Sequence, residues 1–528
     1  MLLNRPIVLS PMSIIIICTL LCGVLGDVPL VKTTQGWVQG VRDEGYDTFL
    51  GIPYGVVDPD NVFGDAKPTL KKEGVYVAVD DSRVCPQVNE NNLTVFGTLD
   101  CLNLNIYVPR TSHKKAVLVW IYGGYFQRGS ALKKHYGPRY LVRHDIILVT
   151  FNYRLGPYGF FCLDIKEVPG NQGMKDQVLA LRWIRDNIEA FGGDKERITA
   201  AGCSFGAGSI ELHLSSNQER LFNQAIIESG SRDMNGAMGA ANRSYPFILA
   251  RHFGYNATDL TKALDFLAKL DPLELAKASS ELFDKYPVCI EKEFDGVESF
   301  ISHRDFNATK IDSTNIVIGY TKQEMLMDYI GIEPEVYFTQ VDIFNETLKY
   351  FNVDDLQNIS EIMRRFYIGY EDISVNVREN LIDFFSDVAL VHFIWRDINK
   401  LIDYGANIYH YIFSYVGKRN FNTGRNNITC TGATHADELG YIFDMDVFAT
   451  DIDRRDSIMR DRMTTMWTNF VKYGKPIPHV SKLLPKQWLP VTRDKLNYLE
   501  IDEVMKNGFN PDHDKIAFWD MFYAYLDL

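Results

Sequence analysis

Two runs of apolar residues without polar alternation stand out in the first third of the chain, at 116–121 and 145–151, and a third lies at Gln224–Glu228. Strands that are buried on both faces have this continuous pattern, because helices cover both sides of a parallel sheet. By contrast, residues 30–41 alternate around glycines, as short antiparallel strands do. The pattern therefore predicts an α/β fold with a central, mostly parallel sheet.

The clearest helical period lies at 174–191, where apolar side chains recur at steps of three and four. Gly192 follows it, in the position where glycine often ends a helix. The pattern also predicts a helix over 132–144. Helical segments within 240–310 and 335–400 are expected as insertions that cover the sheet.

A short apolar run at 198–201 leads directly into Gly202-Cys203-Ser204-Phe205-Gly206, which satisfies G-x-S-x-G. In a nucleophile elbow a strand turns sharply into a helix, and the serine hydroxyl is exposed at the end of the sheet. Glycines flank the serine because strand and helix come too close there for Cβ atoms. The motif is short enough to occur in an ordinary Gly/Ser turn, so Ser204 is a candidate nucleophile that needs partners.

A serine becomes a nucleophile when a base takes its proton and an acid orients that base. On this kind of sheet the chain order is serine, acid, histidine. His435 lies in a polar loop after a predicted strand, whereas His410 falls inside an apolar strand and is interpreted as a core residue. Glu324 follows the predicted strand 316–319 by a short turn. Glu324 and His435 are the candidate acid and base; the alternative is that both are solvated loop residues.

The first 26 residues have the pattern of a signal peptide: Arg5 precedes an apolar stretch, 13–25, that is short for a membrane span. We expect cleavage before Asp27 and a single domain over 27–528, since no repeat or linker interrupts the chain. No second long apolar stretch follows, so we expect a secreted, extracellular protein without a membrane anchor. Seven sequons agree with a glycosylated surface; they are at Asn92, Asn242, Asn256, Asn307, Asn345, Asn358 and Asn427.

The charge balance argues against one class of function. The 55 Lys and Arg residues are outnumbered by 68 Asp and Glu residues, and the formal net charge is −13 at pH 7. No cluster of basic residues offsets this balance. We therefore expect no nucleic-acid partner.

Six cysteines follow the predicted signal peptide. Cys85 and Cys101 bracket a polar loop, and a disulfide between them would stabilise the fold by roughly 3 kcal/mol. Cys162 and Cys203 lie in apolar segments and are predicted to be buried thiols. The pairing of Cys289 with Cys430 stays open.

Many segments, in order, resemble type-B carboxylesterases of the carboxylesterase/cholinesterase family over essentially residues 28–528. They include Phe49-Leu-Gly-Ile-Pro-Tyr, Asp100-Cys-Leu-Asn-Leu-Asn, Val119-Trp-Ile-Tyr-Gly-Gly, Asn152-Tyr-Arg-Leu-Gly, Phe191-Gly-Gly-Asp, Glu228-Ser-Gly-Ser and Gly432-Ala-Thr-His-Ala-Asp-Glu-Leu-Gly-Tyr-Ile-Phe. The segment 57–63 and Leu99 are similar to insect, especially lepidopteran, carboxylesterases.

The resemblance implies an α/β-hydrolase fold in which Ser204 is the nucleophile, Glu324 the orienting acid and His435 the general base. It implies that backbone N–H groups of Gly124, Tyr125 and Phe205 form the oxyanion hole. It also implies a Cys85–Cys101 disulfide and a buried Arg154–Asp176 ion pair.

The chain departs from the family pattern at several positions. The loop between Cys85 and Cys101 has no tryptophan, and Cys203 replaces the glutamate that precedes the nucleophile in cholinesterases, so a choline ester is not expected. The juvenile-hormone-esterase pattern places glutamine at 203 and alanine at 205, which this chain lacks as well. The oxyanion loop has Tyr125 in place of a third glycine, and Phe205 replaces the usual alanine.

These observations predict a secreted serine carboxylesterase that hydrolyses apolar esters, such as xenobiotic, dietary, hormone or odorant esters, without a metal or cofactor. One alternative is a weakly catalytic or non-catalytic relative that sequesters apolar ligands. Another is an adhesion ectodomain of the neuroligin type, for which we would expect an anchor. Tyr125 is expected to narrow the acyl site; the alternatives are a displaced N–H group, a phenol that donates to the oxyanion, and a ring that turns outward.

Overall fold

The structure is a computed structural model that describes residues 28–89, 92–283, 285–329, 343–349, 356–424, 431–448 and 452–526. The predicted signal peptide, Asn427 and Cys430 lie outside the described residues.

An 11-stranded sheet forms the centre of the molecule. Its strands, labelled β1 to β11 in chain order, are Val41–Arg42, Tyr46–Pro53, Asn103–Pro109, Lys115–Ile121, Ile147–Phe151, Gly193–Cys203, Gln224–Glu228, Asn315–Thr321, Asn407–Phe413, Asn497–Ile501 and Lys506–Phe509. Their spatial order is β11-β10-β9-β8-β7-β6-β4-β5-β3-β2-β1. The seven strands from β10 to β5 in that order run parallel to their neighbours, and antiparallel strands close both edges. The predicted α/β fold is thus confirmed.

The predicted alternating segment near the N-terminus forms a separate small sheet. It consists of Leu30–Thr33, Gly36–Gln39 and Val75–Val77, and its first two strands are antiparallel.

Helices cover the sheet. The described α-helices, labelled α1 to α16, are Arg139–Val142, Gly156–Phe160, Gln172–Asn187, Phe205–Ser215, Tyr245–His252, Leu260–Leu267, Pro272–Leu282, Ala308–Ile311, Leu326–Tyr329, Ile343–Lys349, Leu356–Ile368, Arg378–Ser386, His392–Asp403, Leu439–Ile442, Arg454–Tyr473 and His513–Leu526. Short helical turns of other types occur at Ile188–Phe191, Val375–Val377 and Asp387–Val391.

The prediction for 174–191 holds, because α3 continues into the turn at Ile188–Phe191 and Gly192 ends it with φ of 80°. The helix predicted over 132–144 is wrong in length, since only α1 is helical there. Gly137-Pro138 explains the difference: proline disfavours the helical conformation of the residue before it, so a helix can begin only after this point.

A buried ion pair links α3 to the loop after β5. Both side chains of Arg154 and Asp176 are fully buried, and the two guanidinium–carboxylate bonds are 2.7 Å long. Arg154 also donates to the carbonyl oxygen of Gly64, at 2.7 Å. A buried charge is tolerated when it is paired and its donors are satisfied, so this pair ties three segments beneath the sheet edge. The ion pair expected from the resemblance is confirmed.

Two disulfide bonds are present among the described residues, Cys85–Cys101 and Cys162–Cys289. The prediction that Cys162 is a free buried thiol is therefore wrong. Its partner lies 127 residues away, and a local apolar pattern carries no information about such a contact. Cys203 is buried, as predicted, and forms no disulfide bond with another described cysteine.

Candidate active site

Neighbouring parallel strands end at the same edge of the sheet, and their last residues bring three chain segments together. Cys203, at the end of β6, is in register with Glu228, at the end of β7, and Glu228 is in register with Gly319 in β8. Ser204 therefore follows β6 beside the segment that follows β7. Glu324 comes three residues after β8 ends. Ligands of open α/β sheets bind at this carboxyl edge.

Ser204 has the strained conformation expected of a nucleophile elbow. Its φ is 60° and its ψ is −129°, a combination that non-glycine residues rarely adopt. The strain is held from both sides: the Ser204 N–H donates to the Glu228 carbonyl oxygen at 2.9 Å, and its own carbonyl accepts from the Gly208 N–H at 3.0 Å. A Cβ on Gly202 would lie 2.6 Å from the Ile121 carbonyl oxygen, which explains the glycine before the turn. The hydroxyl is thus presented at the junction of β6 and α4.

Glu324 and His435 are in direct contact. One carboxylate oxygen, Oε2, lies 2.6 Å from His435 Nδ1. The other, Oε1, accepts from the Ser229 hydroxyl at 2.6 Å and from the Thr321 N–H at 2.7 Å. The Glu324 side chain is fully buried, whereas 31% of the His435 side chain is exposed. Because a carboxylate accepts from Nδ1–H, the proton of a neutral His435 is on Nδ1, and Nε2 is left as a base.

The loop that carries His435 is fixed by backbone and side-chain bonds. The His435 N–H donates to the Glu324 carbonyl at 3.0 Å, and Asn422 Nδ2 donates to the His435 carbonyl at 2.7 Å. Two residues further on, the Asp437 carboxylate accepts from the backbone N–H groups of Thr434, at 2.9 Å, and Asn422, at 2.8 Å. These contacts restrict the position of the imidazole on a loop that would otherwise be mobile.

The loop after β4 runs past Ser204. A Cβ on Gly123 would lie 2.8 Å from Ser204 Cβ and 3.3 Å from the Phe205 nitrogen, so only glycine fits at this approach. The next two residues have positive φ, 115° at Gly124 and 57° at Tyr125. The N–H groups of Gly124, Tyr125 and Phe205 therefore belong to segments in contact with the nucleophile.

Aromatic rings line this side of the site. The Tyr125 and Phe205 rings are 4.9 Å apart, and Phe126 meets Phe205 edge-on at 5.0 Å. Phe205 and Phe126 are buried, while 37% of Tyr125 is exposed. The side chains packed beside the elbow are therefore aromatic, and of these three Tyr125 is the exposed one.

Acidic residues lie buried behind the elbow. Burial raises the pKa of Glu228 to about 8, and burial together with the charge of Glu228 raises the pKa of Glu438 well above its ordinary value. Trp467 Nε1 donates to Glu228 Oε1 at 2.7 Å, whereas the Oε2 atoms of both glutamates are buried without a hydrogen-bond partner among the described residues. Burial also raises the pKa of the Cys203 thiol well above its ordinary value. Negative charge is therefore disfavoured at Cys203, Glu228 and Glu438.

Four residues at the site were not predicted from the sequence: Ser229, Asn422, Asp437 and Glu438. Ser229, Asp437 and Glu438 lie within segments that resemble the family. Their contacts are with residues that are distant in sequence or with the backbone of a loop, and a sequence pattern does not reveal either kind of contact. Ser229 could have been predicted from its position, because it is a polar residue directly after the predicted buried strand that forms β7.

No group of three or more His, Cys, Asp or Glu side chains suited to a metal ion occurs in the part of the chain that the structure describes. Within the same ranges, no helix has the length and apolar character needed to cross a membrane.

A mostly parallel sheet with a strained serine between a strand and a helix, and an acid–histidine pair at the same edge, defines the α/β-hydrolase fold. The family model described as "Carboxylesterase family" matches residues 27–519, and the chain belongs to this family. It is accordingly a carboxylic ester hydrolase.

Similar proteins include insect and vertebrate esterases. The chain is 30% identical to juvenile hormone esterase of Tribolium castaneum, with 94% of each protein covered. It is 28% identical to esterase FE4 of Myzus persicae, over 92% of this chain and 91% of that protein. The crystal structure of juvenile hormone esterase from Manduca sexta, with OTFP covalently attached, superposes with a TM-score of 0.81 at 26% identity, over 94% of this chain and 100% of that chain.

Proposed function

We propose that the protein is a secreted serine carboxylesterase that hydrolyses apolar esters with Ser204, His435 and Glu324 as its catalytic triad. The observation that carries the proposal is the 2.6 Å contact between Glu324 and His435 Nδ1, at the sheet edge where Ser204 is held in an elbow. An acid of this kind holds the imidazole in the tautomer that can accept the serine proton.

In the proposed reaction, His435 Nε2 takes the Ser204 hydroxyl proton as Oγ attacks the ester carbonyl carbon. The imidazolium then gives that proton to the departing alcohol, which leaves an acyl-serine. Water attacks the acyl-serine by the same route in reverse, with His435 again as the base. The Glu324 carboxylate stabilises the imidazolium in both halves, and its second oxygen is held in place by Ser229 and Thr321.

The N–H groups of Gly124, Tyr125 and Phe205 are proposed to receive the negative charge that develops on the carbonyl oxygen. Support comes from the approach of Gly123 to Ser204, which brings the following residues beside the nucleophile. Donors fixed in this way before the reaction need no reorganisation when charge develops.

The apolar character of the substrate is inferred from the rings beside the elbow. Phe205 and Phe126 are buried and pack against each other, and the partly exposed Tyr125 ring contacts Phe205 at 4.9 Å. Apolar side chains favour an apolar substituent on the carbonyl carbon over a charged one.

The test is labelling with a serine-directed fluorophosphonate, followed by mass spectrometry of the modified peptide. We expect one adduct on Ser204, together with hydrolysis of 4-nitrophenyl acetate. Ser204→Ala should abolish both, apart from a residual rate due to binding, whereas Ser280→Ala, at an exposed serine of α7, should leave both unchanged. An unlabelled Ser204, or normal turnover by Ser204→Ala, contradicts the proposal and favours a ligand-sequestering role.

Secretion and the single domain over 27–528 are part of the proposal. Of the proposed glycosylation sites, Asn92, Asn256 and Asn358 are exposed. Asn242, Asn307 and Asn345 are partly buried. We expect protein from a secreting cell to begin near Asp27 and to lose mass on deglycosylation. A chain that begins at Met1 and shows no mass change contradicts this part alone.

A further inference from the structure

The oxyanion loop carries a bulky side chain at a strained position. Tyr125 has φ of 57° and Phe126 has φ of 58°, so two successive non-glycine residues are in the left-handed region. Such a conformation is uncommon and persists only where the surroundings hold it.

Backbone bonds and the neighbouring Phe126 ring hold the loop. The Gly124 carbonyl accepts from the N–H groups of Gln127, at 3.0 Å, and Arg128, at 3.1 Å. The Phe126 carbonyl accepts from the Gly156 N–H at 2.8 Å, and the Phe126 ring stacks on Phe160 at 4.4 Å. The backbone course at Tyr125 is therefore set by its neighbours, and the tyrosine side chain has to follow it.

This backbone directs the Tyr125 ring onto Phe205. The two ring centroids are 4.9 Å apart, and the Arg128 guanidinium carbon lies 5.0 Å from the Tyr125 centroid. The ring therefore packs against the side chain of the residue that directly follows the nucleophile. Tyr125 and Phe205 also carry two of the three proposed oxyanion donors, so both rings belong to residues whose backbone lies beside Ser204.

The geometry of the tetrahedral intermediate decides which part of the substrate meets these rings. The reacting carbon is bonded to Ser204 Oγ, the oxyanion, the alcohol oxygen and the acyl group. The alcohol oxygen has to reach His435 to receive its proton, and the oxyanion enters the hole. The acyl group is the remaining substituent, and Tyr125 and Phe205 are residues beside the proposed hole.

We propose that the ring pair of Tyr125 and Phe205, here called the acyl wall, restricts the enzyme to esters of short acyl groups. The alcohol part, on the side of His435, can be large. This inference rests on the proposed function and specifies its substrate class: short-chain acyl esters, such as acetates, of apolar alcohols.

The experiment measures kcat/KM for 4-nitrophenyl acetate, butyrate and octanoate with the wild type, Tyr125→Gly, Tyr125→Phe and Phe205→Ala. Glycine tolerates φ of 57°, so Tyr125→Gly relieves strain and should fold. A tyrosine removed from an exposed turn elsewhere, Tyr370→Gly, is the matched control. Acetates of ethanol and 1-naphthol test the alcohol side with the same enzymes.

We expect the wild type to prefer acetate. The octanoate-to-acetate ratio should rise about tenfold or more in Tyr125→Gly and in Phe205→Ala, as extra methylenes gain room. Tyr125→Phe, which keeps the ring, and Tyr370→Gly should retain the wild-type ratio, and the preference among alcohols should not change.

An unchanged ratio in Tyr125→Gly overturns the acyl wall, as does a change confined to the alcohol series. Equal losses in Tyr125→Gly and Tyr125→Phe would show that the phenol matters and the ring volume does not. All of these results leave the proposed function intact if Ser204 is still labelled by the fluorophosphonate. Failure of labelling in the wild type removes the proposed function itself.

Discussion

The two sides of the candidate active site are built by different means. On one side, side chains form the site: Glu324 is fixed by Ser229 and Thr321 and contacts His435. On the other, the backbone forms it, since Gly123 approaches Ser204 at a distance that excludes a Cβ. Activity should therefore fall on the first side when side-chain groups are removed, and on the second side when side-chain atoms are added.

Glu324→Gln should have the largest effect, because it removes the charge that stabilises the imidazolium and replaces one carboxylate oxygen with an amide. An amide can present its N–H₂ to Nδ1, which favours the wrong tautomer. We expect kcat to fall by roughly 10³–10⁴, measured with 4-nitrophenyl acetate. Glu281→Gln, at an exposed glutamate of α7, is the control, and a fall of only a few-fold in Glu324→Gln would contradict the assignment.

Gly123→Ala tests the backbone side by adding one methyl group. The new Cβ would be 2.8 Å from Ser204 Cβ, so either the loop or the elbow must move. Loss of one oxyanion donor costs about 10²–10³ in rate, and we expect a loss in this range together with a lower melting temperature, because the crowded Cβ strains the loop or the elbow. Gly296→Ala, where φ is 76° but a Cβ would meet nothing within 4 Å, is the control for an added methyl group that strains only the local backbone. Equal activity of the two variants would show that the loop does not support the reaction.

Ser229→Ala removes one of the two bonds to Glu324 Oε1 and leaves the carboxylate charge in place. A hydrogen bond to a charged group contributes about 1.5–3 kcal/mol, so kcat should fall by about one to two orders of magnitude while KM stays near its wild-type value. A lower kcat with an unchanged KM would identify Ser229 as a residue that positions Glu324. A rise in KM with unchanged kcat would place Ser229 in substrate binding.

Glu228→Gln should affect stability rather than rate. The pKa of Glu228 is raised from 4.5 to about 8, so between these pH values the folded state holds a proton that the unfolded state releases. Stability conferred by this group is therefore complete below about pH 4.5 and is lost as the pH rises toward 8. Glutamine still accepts from Trp467 Nε1 and cannot ionise.

Melting temperatures measured from pH 5 to pH 8 provide the check on Glu228. The difference between Glu228→Gln and the wild type should move in favour of the variant as the pH rises. Glu281→Gln should follow the wild-type profile. Parallel profiles for Glu228→Gln and the wild type would show that Glu228 is already ionised at pH 5.

The sequence by itself determined the features that depend on neighbouring residues. Continuous apolar runs predicted the parallel strands, because burial on both faces leaves no polar position. Glycine spacing around Ser204 predicted the elbow, since strand and helix crowd there. The candidate acid and base followed from the chain order of an α/β sheet, and the contact between Glu324 and His435 agrees with that order.

Only the tertiary structure decided the contacts between distant segments. Cys162 meets Cys289 across 127 residues, and Ser229 reaches Glu324 across 95. The burial of Glu228 beside Glu438, and the placement of the Tyr125 ring on Phe205, likewise depend on how strands and loops pack. A periodic pattern records which face of an element is buried, whereas the identity of the group it meets is fixed when the sheet assembles.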